Sequence, residues 1–134
     1  MLRSSSSQGR ASSRGSGLLA MSTPRLKLKL QLDDNDSLIG PGKIALLKAI
    51  QREHSLSRAA KSINMSYRKA WLLIQELNES LSGPVLVTQT GGQSGGGSEL
   101  TEIATTVIAV YEQLTQEAEE ATKATRKTIA SLLK

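Results

Sequence analysis

Between Ser55 and Ser80 two helical patterns stand on either side of a break that only a sharp turn satisfies. This constrains the chain more than any other feature. Ser57 can cap the first helix, and Ala59, Ala60 and Ile63 give it a small apolar face on which another helix can cross closely. Asn64 tolerates the left-handed backbone needed to leave a helix. Ser66 then caps the next helix, its hydroxyl accepting from a free amide of the first turn. Ala70, Trp71, Ile74, Leu77 and Leu81 follow at spacings that predict one buried stripe. Trp71 is expected in the core, against Leu47 and Ala60. Tyr67, Arg68 and Lys69 fall off the stripe at the helix start. A helix that buries one side and offers such groups from its first turn is built like a recognition helix for a DNA major groove.

The flanking segments complete a larger unit. Leu26, Leu28, Leu30 and Leu32 alternate with Lys27, Lys29 and Gln31, which predicts a half-buried strand. Asp33 to Asp36 is rich in turn formers. Pro41-Gly42 leads into a helix over 43–53, where Ile44, Leu47 and Ile50 recur at spacing three. After Ser82-Gly83-Pro84, Val85 to Thr88 predicts a short strand. The Gly-rich loop 91–98 and a return strand at Leu100-Thr101 make a wing. The fold expected is mainly α with a small β wing: a winged helix-turn-helix over 25–101.

From residue 102 to 134 the pattern is helical. Ile103, Val107, Val110, Tyr111 and Leu114 form a stripe, and Tyr111, Ala118, Thr125 and Leu132 recur every seven residues. One long C-terminal helix is expected, with a seam that a second copy would cover. Residues 1–24 form an Arg/Ser-rich tail with three basic and no acidic residues, expected to be disordered. Its acid-poor composition has some transit-peptide character, and a start of translation at Met21 would also account for it.

Charge and composition exclude several classes of chemistry. Residues 25–98 hold ten basic and six acidic side chains, whereas 99–134 hold four and six. The middle of the chain thus carries the positive field that steers polyanions. With no cysteine and one histidine, neither a thiolate nor a histidine-rich metal site can be assembled. The Gly-rich loop lacks the Gly-Lys-Ser/Thr ending of a phosphate loop. The Asp33–Asp36 run lacks the glycine and distal glutamate of a calcium loop. His54 is expected to serve a helix end rather than catalysis. No catalytic constellation, cofactor or metal is expected, and no apolar run is long enough for a membrane helix.

Three passages then resemble the DNA-binding half of the ModE family of molybdate-responsive transcription regulators, whose winged helix is related to that of LysR-type regulators. They are Ile44 to Ile50 followed by Ser55 to Lys61; Met65-Ser66-Tyr67-Arg68-Lys69-Ala70-Trp71 with Glu76-Leu77-Asn78; and Thr90 to Gly97 closed by Leu100-Thr101. The resemblance covers about Leu26 to Thr115. It implies a cytoplasmic, sequence-specific DNA-binding regulator that meets a palindromic operator as a homodimer and is linked to molybdate transport or molybdenum metabolism. Family members that sense molybdate carry small β-barrel domains after the winged helix. The residues up to Lys134 hold none, so molybdate sensing within this chain is not expected, and a separate molybdate-binding protein is a candidate partner. The DNA-contacting candidates are Ser57, Arg58, Ser66, Tyr67, Arg68, Lys69, Leu72 and Gln75, with Gln93 and Ser94 on the wing. The dimer candidates are Leu26, Leu28, Tyr111, Leu114, Ala118 and Ala121. The competing reading is a winged-helix protein-interaction module acting with a separate effector-binding partner.

Overall fold

A computed structural model describes residues 23–32, 37–89 and 97–134. The order is β1 (Leu30–Gln31), β2 (Ser37–Ile39), α1 (Pro41–Glu53), α2 (Leu56–Ser62), α3 (Tyr67–Ser80), β3 (Leu86–Gln89), β4 (Gly97–Leu100), α4 (Glu102–Ala121) and α5 (Lys123–Ala130). This is a winged helix-turn-helix. The chain divides into two compact units. One is 27–115; the other joins residues 23–26 to 116–134.

In the larger unit, α1, α2 and α3 enclose an aliphatic core. Leu46, Leu47, Ala49 and Ile50 of α1 meet Ala59 and Ala60 of α2 and Ala70, Ile74 and Leu77 of α3. The alanines let the helices cross with little between them, as the small face of α2 predicts. Val85 of the wing and Ala104 and Ile108 of α4 close the same cluster.

The turn between α2 and α3 has the expected chemistry. Asn64 is left-handed at φ 58°, and Ser66 Oγ accepts from Lys69 N at 3.1 Å. The cap of α2 differs from the reading above. Ser55 Oγ accepts from Arg58 N at 3.1 Å, and Ser57 is an exposed residue of the first turn. The helix begins earlier because α1 ends abruptly. His54 is left-handed at φ 57° and donates its amide to Ile50 O, leaving Ser55 extended in the capping position.

Trp71 is a second correction: it is 46% exposed and outside the core. At roughly 100° per residue, Ala70, Leu73, Ile74, Leu77 and Leu81 gather on one face of α3, and Trp71 falls at its border. Leu73 is half-buried against the core.

The wing is an antiparallel pair with Leu86 opposite Leu100 and Gln89 opposite Gly97. Its root is tied at both ends. Asn78 Oδ1 accepts from Val85 N at 2.9 Å, and Ser98 N donates to His54 O at 3.0 Å. A Cβ at Gly83 would lie 2.7 Å from Ile103 Cδ1, so a side chain there would require the tip of Ile103 to shift.

The leucine-rich strand is much shorter than its alternation suggests. Among the described residues of this run only Leu30–Gln31 pairs, antiparallel to Ser37–Ile39, a strand the sequence reading did not expect. Leu30 and Leu32 are exposed.

The single long C-terminal helix is also corrected. Thr122 interrupts it with φ −107° and ψ 9°. Its hydroxyl donates to Ala118 O at 2.7 Å and accepts from Arg126 Nε at 2.9 Å. Such side-chain bonding to the preceding turn bends helices. The break is shallow: Thr122 N still reaches Ala118 O, and Arg126 N reaches Thr122 O.

In the smaller unit, buried Arg126 donates to Pro24 O at 2.8 Å and to Glu119 O, and pairs with the Glu119 carboxylate at 3.0 Å. That carboxylate accepts from Leu26 N at 2.8 Å. The residues just before the leucine run are thus held by side chains with no sequence pattern to announce them.

Candidate nucleic-acid interface

The core face of α3 fixes what its other face can offer. With Ala70, Ile74 and Leu77 buried, the helical repeat sets Arg68, Leu72 and Gln75 along the opposite side. Tyr67 and Trp71 flank this row on one side, and Lys69 and Glu76 on the other. Ser66, Tyr67, Arg68, Lys69 and Leu72 are exposed, while Gln75 is half-buried. Ser66, Arg68, Lys69 and Leu72 line one shallow hollow together with Leu73 and Glu76.

A neighbouring hollow extends this surface. Lys69, Leu73 and Glu76 share it with Lys29, Lys43 and the Gly40-Pro41-Gly42 start of α1. The Lys43 ammonium is buried, 3.1 Å from Glu76 Oε1 and 3.3 Å from Leu38 O. It holds Glu76 down against α1. Lys29 was not among the expected contacts, although its place on the basic side of the Leu26–Leu32 alternation was the signal for it.

The α2 candidates are placed differently. Arg58 Nη2 donates to Glu53 O at 2.7 Å, and its Nε lies 4.0 Å from the Glu53 carboxylate. This guanidinium caps the end of α1. Ser57 lies exposed beside it. On the wing, His54 Nδ1 lies 2.9 and 3.1 Å from the two Glu99 carboxylate oxygens, bracing β4 against the end of α1. Gln93 and Ser94 lie outside the described residues.

The dimer candidates occupy two settings. Tyr111 donates its hydroxyl to Leu28 O at 2.6 Å. Tyr111 and Leu114 line an apolar groove of about 200 Å³ with Leu30, Ile39, Val107 and Val110. Leu26 and Ala118 are half-buried, and Ala121 is exposed. The α4 stripe is rotated from the one expected: Ala104 and Ile108 face the core, and Val110 stands 57% exposed. Among the described residues, no helix is long and apolar enough to cross a membrane.

Known helix-turn-helix proteins are similar to this chain. Residues 42–105 match the family of bacterial regulatory helix-turn-helix proteins, lysR family. The molybdenum transport protein ModE of Azotobacter vinelandii is 37% identical over 95 residues, which are 70% of this chain and 35% of that protein. The DNA-binding transcriptional dual regulator ModE of Escherichia coli K12 is 41% identical over 92 residues, 68% of this chain and 34% of the relative. The molybdenum-pterin-binding protein MopB of Rhodobacter capsulatus is 39% identical over 80 residues, 60% of this chain and 30% of the relative. The chain spans about a third of the length of these relatives.

Proposed function

We propose that this chain, which carries the LysR-type helix-turn-helix domain of ModE-type regulators, is a sequence-specific DNA-binding transcription regulator linked to molybdenum metabolism. The observation that carries the reading is the outward row of α3. A capped helix start, two exposed basic side chains at its first turn and an accessible outward row form a surface that a major groove accepts. In this reading Arg68 meets a base edge, since a guanidinium can reach guanine O6 and N7 together. Lys69 meets phosphate, and Lys29 extends the phosphate track toward α1. The relatives named for molybdenum transport support the link to molybdenum, with a molybdate-binding protein as the partner that brings the signal.

The dimer belongs to the same proposal. The groove beside Tyr111 and Leu114 and the exposed edge at Leu30 and Leu32 give a second copy an apolar surface on which to pack. A two-fold pair would present two α3 helices to half-sites about one DNA turn apart, or a multiple of it. Sedimentation of the chain is expected to give twice its 14.3 kDa mass.

The decisive experiment selects duplexes from a random pool and then measures affinity for the selected palindrome at increasing salt. Each phosphate contact adds about 0.9 to the slope of log affinity against log salt. Arg68→Ala should cost about 1–3 kcal/mol and relax preference at one base pair of each half-site. No sequence enrichment, or an Arg68→Ala protein that is folded and binds unchanged, would defeat this reading.

A further inference from the structure

The centre of the outward row of α3 is apolar. Leu72 is 42% exposed and lies roughly opposite the buried Ala70–Ile74–Leu77 face. Trp71 and Tyr67, also largely exposed, stand next to it. Three accessible apolar side chains on the one helix face expected to enter a groove are costly in water unless something covers them. The surroundings say what that is. Arg68 and Lys69 share a hollow with Leu72 and with Glu76, whose carboxylate is paired with Lys43 at 3.1 Å, so an occupant that accepts positive charge at its rim and offers an apolar group between fits it.

The major groove of DNA meets both conditions, and only one base does so there. Thymine presents a C5 methyl group beside its O4 acceptor, whereas the other bases offer no methyl group to pack on. Resting on the DNA-binding reading above, we infer that Leu72 reads a thymine through its C5 methyl group. Arg68 precedes Leu72 by one turn on the same line. Four residues at 1.5 Å each separate them by about 6 Å along the axis, on the order of two base steps of 3.4 Å. The methyl-dependent position therefore lies within about two steps of the base pair that Arg68 reads.

The test uses the full chain and the duplex selected from the random pool. Each thymine is replaced in turn by deoxyuridine, which removes the methyl group and leaves base pairing unchanged. The expected result is a loss of about fourfold at one thymine of each half-site, close to the transfer free energy of one methyl-sized group. In Leu72→Ala the same substitution should change affinity by less than about twofold, while sensitivity at the Arg68 position persists. Leu72 lies outside the core, so this variant should melt with the parent; Leu72→Met, which keeps an apolar tip, should retain the methyl dependence. Indifference of the parent to every deoxyuridine would overturn the inference. So would a methyl dependence that survives in Leu72→Ala, which would assign the thymine to Trp71 or Tyr67. A pool that yields no enriched sequence would instead remove the DNA-binding reading and this inference with it.

Discussion

The α2–α3 pair and the α4–α5 segment are both helical, yet they are specified in different ways. In the first, each boundary has its own residue: Ser55 and Ser66 cap, Asn64 turns, and small alanines set the crossing. Those signals are local in sequence. In the second, the boundary at Thr122 arises from a bonding pattern that reaches from Arg126 back to Glu119 and Pro24. A heptad count over the same residues reads through it. The lesson is that short helices joined by tight turns are written residue by residue, whereas a long helix is edited by distant partners.

The same contrast explains what was legible. The winged helix-turn-helix order, the turn at Asn64, the Ser66 cap and the wing strands follow from propensity and periodicity. The second strand of the β1–β2 pair did not, because Ser37–Ile39 is too short to carry a pattern. Trp71 was misplaced because spacing alone does not say which edge of a stripe is wetted. Arg58 looked available because its bond to Glu53 O depends on the left-handed exit of α1 at His54. The row Arg68, Leu72, Gln75 was in the sequence throughout, but it became a surface only when the buried face of α3 was known.

The largest effect should come from the core shared by α1, α2 and α3. Leu47 is fully buried among alanines that cannot expand to fill a void. Leu47→Ala is expected to cost about 2–5 kcal/mol, read by chemical denaturation. A loss below 1 kcal/mol would mean that the alanine-rich crossing is looser than it looks and that caps, not packing, hold the pair.

Arg126→Ala should come next, at about 2 kcal/mol, because it removes charged hydrogen bonds to three carbonyl or hydroxyl partners and one carboxylate. The loss should be local. Hydrogen exchange ought to accelerate over 116–130 while the amides of α1 to α3 keep their protection. Equal acceleration in both regions would show that the smaller unit supports the larger one and blur the contrast drawn above.

Trp71→Ala sharpens the comparison within α3 itself. A fully buried aromatic would cost about 3–5 kcal/mol on truncation. With nearly half of its surface in water, Trp71 should cost about 1.5 kcal/mol, and its fluorescence should be accessible to an aqueous quencher. A core-sized loss with a shielded spectrum would return Trp71 to the interior and move the outward face of α3 toward Leu73.

The smallest effects are the most specific, because three serines of similar setting should behave differently. Ser55 and Ser66 each accept a backbone amide three residues on, so replacing either by alanine strips a partner from a helix start. Each loss is expected near 1 kcal/mol. Ser57 lies in the first turn of α2 and is exposed, so Ser57→Ala should change stability by less than about 0.5 kcal/mol. Alanine also favours the helix interior slightly over serine, which pushes the Ser57 value toward zero or beyond. Equilibrium unfolding of the three variants side by side separates the alternatives. If Ser57→Ala proved as costly as Ser55→Ala, α2 would start two residues later than its hydrogen bonds indicate. The left-handed exit at His54 would then no longer set the register of the turn that aims α3.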